Sequence, residues 1–113
     1  VGETLLELPA GTRERGETVL ETAHRELIEE TGYTAAVLSE LHQFYSAPGI
    51  CDELMHLIVA RDLTAGDPAR EVTEQIENRI ADREQVRQWI AEGRIRDAKT
   101  LVGLYAFLYS PQL

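Results

Sequence analysis

The stretch from Gly11 to Tyr33, GTRERGETVLETAHRELIEETGY, decides the reading of this chain. Residues 11–17 form a polar loop with two glycines, and the apolar residues Val19, Leu20, Ala23, Leu27 and Ile28 then recur at helical spacing. The spacing predicts a helix from about Thr18 to Thr31, ended by Gly32 as the glycine just past the last turn. Within it, Glu26, Glu29 and Glu30 stand at i, i+3 and i+4, which places three carboxylates on one helix face. The other face, with Val19, Ala23 and Leu27, is expected to be buried. Like charges at this spacing repel, so a solvated acidic face is one reading and a face closed by a positive partner is the other. Hard cations such as Mg²⁺ take carboxylate oxygens while keeping several waters, and can bridge a diphosphate and activate a water.

Outward from this stretch the order is mixed β and α, which gives an α/β or α+β class. A short strand is expected over Leu5, Leu6 and Leu8, stopped by Pro9 and Gly11. Residues 34–45 read as an extended strand, Ser46-Ala47-Pro48-Gly49 as a turn, and Leu54 to Ala60 as a central strand covered on both faces. Thr64 to Thr73 reads as a loop and Gln75 to Ala81 as a weak strand. Asp82-Arg83-Glu84-Gln85 has the spacing of a capping box, followed by a helix with Val86, Trp89 and Ile90 on one face and a stop at Gly93. A last helix, about Asp97 to Tyr109, is expected to pack through Leu101, Leu104, Tyr105 and Leu108.

The chain has 113 residues and 43% hydrophobic content, enough for one domain over residues 1–113 with a modest core. A net charge of −9 argues against nucleic-acid and anionic-membrane partners, which need clustered Lys and Arg. Cys51 stands alone, so an internal disulfide and a thiolate zinc site are excluded, and a reducing, cytoplasmic compartment is the default. No apolar run approaches the roughly 18 residues that span a bilayer, and no signal peptide is read at the start. The chain begins at Val1, without an initiator Met, and is expected to be a fragment or a processed form.

The pattern Gly11, five residues, Glu17, seven residues, Arg25-Glu26-Leu27, one residue, Glu29-Glu30, one residue, Gly32-Tyr33 resembles the Nudix box at every defined position. The resemblance implies a Nudix α/β/α sandwich with a mixed sheet and a metal-dependent hydrolase of nucleoside diphosphates linked to another group, using Mg²⁺ or Mn²⁺. It implies Glu26 and Glu30 as metal ligands, Glu29 as a further ligand or base, the carbonyl of Ala10 as another ligand, and Arg25 as the residue that orients the carboxylates. The resemblance also implies that Glu17 supports the helix start; the other reading is an acid that simply favours the positive end of the helix dipole.

Pro48, sixteen residues after Gly32, is similar to a proline of the ADP-ribose pyrophosphatase subgroup. So are Leu6-Glu7-Leu8-Pro9-Ala10-Gly11, the Asp52-Glu53 pair and the run from Trp89 to Lys99. The resemblance implies a nucleoside diphosphate sugar as substrate, ADP-ribose first, with Glu7, Pro48, Gly49 and Glu53 as its contacts and a homodimer as the assembly. The subgroup's loop glutamate falls at Val72, which cannot act as a base. Glu74, which aligns with an acidic residue near the metals, and Glu71, one residue before Val72, are then candidates beside Glu29. The subgroup's N-terminal strands are expected to be lacking, leaving open sheet edges. Rival readings are a Nudix hydrolase of another nucleotide sugar or a dinucleotide, and a Nudix-fold module that binds a nucleotide sugar without cutting it. His24 is expected to be exposed, His42 and His56 to be strand residues, and Cys51 to be a turn residue. Phe44 or Tyr45 either stacks on adenine or packs in the core.

Overall fold

A computed structural model describes residues 6–66, 77–111 and 113. The element order is α1 (Val19–Thr31), β1 (Tyr33–Tyr45), β2 (Leu54–Ala65), α2 (Arg83–Ala91) and α3 (Ala98–Tyr109). Two compact units form. One is Pro9–Asn78; the other joins the residues up to Leu8 with Arg79–Leu113.

In the first unit, α1 starts where the sequence places it. Thr18 is its N-cap and accepts from the Glu21 amide, while the Glu21 side chain accepts from the Thr18 amide, a reciprocal capping box. Gly32 ends the helix in the left-handed conformation, φ 79°, which only glycine adopts without strain. The chain then runs directly into β1, which pairs antiparallel with β2 from Tyr33↔Ala65 to Tyr45↔Leu54. A register shift between Glu40 and His42 leaves Leu41 as an extra residue. The half-buried positions of β1 include Leu38, Leu41 and Phe44, so strict alternation is broken around the bulge.

Several expectations need correction. The strand over Leu54 to Ala60 extends to Ala65 and is not doubly covered: Leu54 and Leu63 are exposed, and residues 55–60 are half-buried. Among the described residues its one partner is β1, so the sheet is an antiparallel pair and the expected mixed sheet of a sandwich is not seen. Val19, Ala23 and Leu27 reach only half-burial, since a single hairpin cannot cover a whole helix face. The expected strands at Leu6–Leu8 and Glu77–Ala81 are irregular backbone. At Leu8 the amide is taken by the Thr100 hydroxyl, 3.1 Å away. At the second, Ile80 is 87% exposed, so no apolar burial supports a strand there. Leu5, the remainder of the predicted loop to Thr73, and Gln75 and Ile76 lie outside the described residues.

The second unit is organised by two capped helices. Asp82 caps α2 by accepting from the Gln85 amide at 2.9 Å, and Asp97 caps α3 by accepting from both the amide and the hydroxyl of Thr100 at 3.0 and 2.7 Å. The Thr100 hydrogen bonds hold the Asp97 carboxyl below the usual carboxylate range. Among the described residues, Val86 and Ile95 are the buried apolar side chains, and Thr100 is 1% exposed. Leu101, Leu104, Leu108 and Trp89 are half-buried, as expected of packing positions. Tyr105 is not one of them: it is 46% exposed and its ring stacks on Tyr109 at 6.4 Å. The Arg83 guanidinium lies over Phe107, 4.3 Å from the ring centre, and donates to the Phe107 and Leu113 carbonyls. No described helix is long and apolar enough to cross a membrane.

Candidate active site

The site is built on α1 and the loop before it, and its hub is Arg25. Nε and Nη2 grip both oxygens of Glu17, at 2.8 and 2.9 Å, in the fork geometry that a guanidinium offers a carboxylate. Nη2 also donates to the Thr12 carbonyl at 3.1 Å. Nη1 turns the other way, donating to Glu26 at 2.7 Å and to Glu29 at 3.3 Å. One side of the guanidinium is thus anchored in the loop, and the other holds two of the three clustered carboxylates.

Glu17 is the second fixed point. Beyond Arg25, it accepts from the Glu14 amide at 2.8 Å and from the Thr22 hydroxyl at 3.0 Å. These donors, Arg25 foremost, hold its carboxyl down from the ordinary 4.5 to about 2, against a smaller opposing cost of burial. The same partner pushes the Arg25 guanidinium further towards its charged form. Glu17 thus lies within the Arg25 network and, through Thr22, against the first turn of α1. Thr22, the one buried residue of α1, and the Thr12 carbonyl were not identified in the sequence.

A group whose pKa is depressed in the folded state adds stability above its unfolded pKa and loses it as pH falls through the folded value. For Glu17 that window runs from 4.5 down to about 2. Melting temperature measured against pH should therefore show wild type above Glu17→Gln at pH 5 and higher, with the curves converging near pH 2. Parallel curves throughout would show that the Arg25–Glu17 pair contributes nothing.

Glu26 and Glu30 lie one turn apart and each meets the irregular segment that leads into the loop, at Gly11 and Ala10. The Glu30 Oε2 accepts from the Ala10 amide at 2.7 Å. The Glu26 carboxylate lies so close to Gly11 that a Cβ on that residue would coincide with it. The glycine is required for close approach, not for a positive φ. Glu29, next along the helix, is the exposed member, with 51% of its side chain accessible against 17% for Glu26.

The donor set suits a hard divalent cation: carboxylates of Glu26 and Glu30 one turn apart, Glu29 beside them, and the Ala10 backbone hydrogen-bonded to Glu30. Among the described residues no three acidic, His or Cys side chains converge into a ready ligand cage. Mg²⁺ does not require one, since it commonly takes one or two carboxylates and completes its shell with water and phosphate oxygens.

The other predicted residues are placed elsewhere. Pro48 and Gly49 sit exposed in the loop joining β1 to β2, with Gly49 at φ 86°. Glu53 closes that loop, accepting from the Ser46 hydroxyl at 2.8 Å, while its carbonyl accepts from the Ser46 amide. By the strand register this loop lies at the end of the hairpin opposite Gly32, ~40 Å away along extended strands of this length. The chain therefore does not bring Pro48, Gly49 and Glu53 to its own Glu30. Glu7 is exposed and belongs to the other unit. Glu71 and Glu74 lie outside the described residues. His24, His42 and Cys51 are exposed; His56 contacts Glu40 across the sheet at 3.1 Å.

A glycine-entered loop, a capped helix and an Arg-centred cluster of carboxylates are the parts of a Nudix box, and the NUDIX domain family model matches residues 2–102. The chain belongs to the Nudix family. It is 39% identical over 108 residues to the ADP-ribose pyrophosphatase of Bacillus subtilis strain 168, covering 94% of this chain and 57% of that protein. It is 38% identical over 107 residues to the methanol dehydrogenase activator of Bacillus methanolicus, covering 90% and 56%. To the ADP-ribose pyrophosphatase of Escherichia coli strain K12 it is 33% identical over 104 residues, covering 88% and 50%. The chain spans about half the length of these curated relatives.

Proposed function

We propose that the protein is a Nudix hydrolase that cleaves the diphosphate of ADP-ribose with one water, yielding AMP and ribose 5-phosphate. The observation that carries this reading is the clamp on α1: Arg25 fixed to Glu17 on one side and to Glu26 and Glu29 on the other, with Glu30 hydrogen-bonded to the Ala10 amide. Two relatives named ADP-ribose pyrophosphatase support the choice of substrate.

Glu26, Glu30 and the Ala10 carbonyl would hold Mg²⁺ or Mn²⁺, with Glu74 as a further ligand. When bound, the cation neutralises diphosphate charge and makes the attacking water more acidic. Arg25 keeps the carboxylates aimed at one place. The proton of the water passes to a carboxylate base, for which Glu74 leads and Glu71 and Glu29 are the alternatives. Glu7, Pro48, Gly49 and Glu53 are proposed as substrate contacts. A homodimer would let the hairpin loop of one copy serve the box of the other, which fits the separation of Pro48 from Glu30 along the hairpin. A cytoplasmic location agrees with a nucleotide-sugar substrate.

The test is a screen of ADP-ribose, other nucleoside diphosphate sugars and dinucleotides, with Mg²⁺ and with Mn²⁺, scoring AMP release. ADP-ribose should give the highest kcat/KM, and only with a divalent cation present. Preference for another compound moves the substrate assignment within the family. Tight binding of ADP-ribose without turnover would identify a binding module.

A further inference from the structure

The carboxyl end of α1 carries an electrostatic problem. Its last turn holds Glu29 and Glu30 and no basic residue, although the helix dipole is negative there. The carbonyls of that turn also lack intrahelical partners. The Ile28 carbonyl accepts from the Gly32 amide at 2.9 Å, and one residue earlier the Thr31 hydroxyl adds a second donor to the Leu27 carbonyl at 2.6 Å. The Thr31 carbonyl is met from outside the helix, by the Asn78 side-chain amide at 2.8 Å, 47 residues away in sequence. On the same helix end, Gly66 approaches the Gly32 carbonyl so closely that a Cβ would overlap it. Two distant points of the chain therefore close on the turn that bears the acidic pair.

We propose that Asn78 is a positioning residue for the cation site, holding the last turn of α1, and with it Glu29 and Glu30, through its hydrogen bond to the Thr31 carbonyl. This rests on the reading of Glu26, Glu29 and Glu30 as cation ligands. The chemistry explains why an amide serves there. A Lys or Arg would cap the turn more strongly, but would put a positive charge beside the carboxylates and compete with the cation. An Asp in the same shape would have no N–H to give and would add repulsion. A neutral donor satisfies the carbonyl and leaves the carboxylates to the metal.

Asn78 is exposed, so its replacement leaves no cavity. Mn²⁺ binding to the purified chain, measured by calorimetry or by loss of the free-ion electron paramagnetic resonance signal, reads the site without relying on turnover. Asn78→Ala should weaken Mn²⁺ by about five-fold, the worth of one ordinary hydrogen bond. Asn78→Gln, which keeps the donor, should recover most of that loss. Asn78→Lys should weaken Mn²⁺ at least as much as the alanine variant while raising the melting temperature. In turnover assays, Asn78→Ala should raise the Mg²⁺ concentration needed for half-maximal rate, with kcat at saturating Mg²⁺ little changed. Unchanged Mn²⁺ affinity in Asn78→Ala, with or without a lower melting temperature, overturns the proposal alone. Failure of the unaltered chain to bind Mn²⁺ overturns the cation-site reading and this proposal with it.

Discussion

Glu30→Gln should abolish hydrolysis while leaving α1 intact. Glu30 lies one turn beyond Glu26 on the carboxylate face and accepts from the Ala10 amide at 2.7 Å. Glutamine has the same length and a carbonyl that can accept the same hydrogen bond, so the tie to Ala10 survives. What disappears is a negative charge that strengthens a hard cation's hold on its ligand oxygen. Groups that merely hold metal ligands cost about 10–100-fold when removed, so loss of a ligand charge should exceed about 100-fold in kcat/KM. The measurement is ADP-ribose hydrolysis across a Mg²⁺ titration, with circular dichroism on the same sample. A folded variant with wild-type turnover at saturating Mg²⁺ would sink the assignment, and an unfolded one would show that Glu30 serves the structure.

Gly11→Ala should be nearly as damaging to activity, for a steric reason. A Cβ at position 11 falls on the Glu26 carboxylate itself. That carboxylate is the far end of a flexible side chain, so the conflict is relieved by swinging Glu26 away and leaving backbone and helix in place. The displaced Glu26 loses its contact with Arg25 Nη1, 2.7 Å in the native arrangement, and its place beside Glu30. Expected is a melting temperature within a few degrees of wild type, joined to a loss of Mn²⁺ affinity and a fall of more than about 100-fold in kcat/KM. Normal metal binding would show that the position of Glu26 is immaterial. A collapse in stability would show that the glycine serves the loop.

Much of the site was legible because the box is local. Helix periodicity gave α1 to within a residue, and the i, i+3, i+4 spacing put Glu26, Glu29 and Glu30 on one face. The Thr18-x-x-Glu21 spacing is an equally local capping signal, and the structure forms it. The hydrogen bonds that cross the chain were not legible. Nothing in the run Glu77-Asn78-Arg79-Ile80 announces a cap for Thr31, because a side-chain donor to a distant carbonyl leaves no periodic mark. The apolar density of Leu54 to Ala60 was read as burial on two faces. It measured only the capacity for burial, and with one partner strand β2 stays half-covered. Pro48 and Glu53 matched a subgroup pattern, yet pattern alone carries no distance, and the register puts them at the far end of the hairpin.

The two-stranded sheet also bears on how the protein behaves in concentrated solution. Among the described residues, β1 and β2 pair only with each other, so each turns one row of backbone N–H and C=O groups outward. The thirteen residues of β1 include a single carboxylate, Glu40, and no Lys or Arg to discourage a second strand from adding. Between copies, the deterrent at neutral pH is the net charge of −9. That deterrent disappears near the isoelectric point of about 4.7. Glu40 keeps its charge to a lower pH than an ordinary glutamate, through its hydrogen bond with Gln43 and then through His56, and so guards β1 longest. Mildly acidic buffers should therefore cloud a concentrated sample before they unfold it, and colloidal rather than conformational stability sets the lower pH at which this chain can be handled.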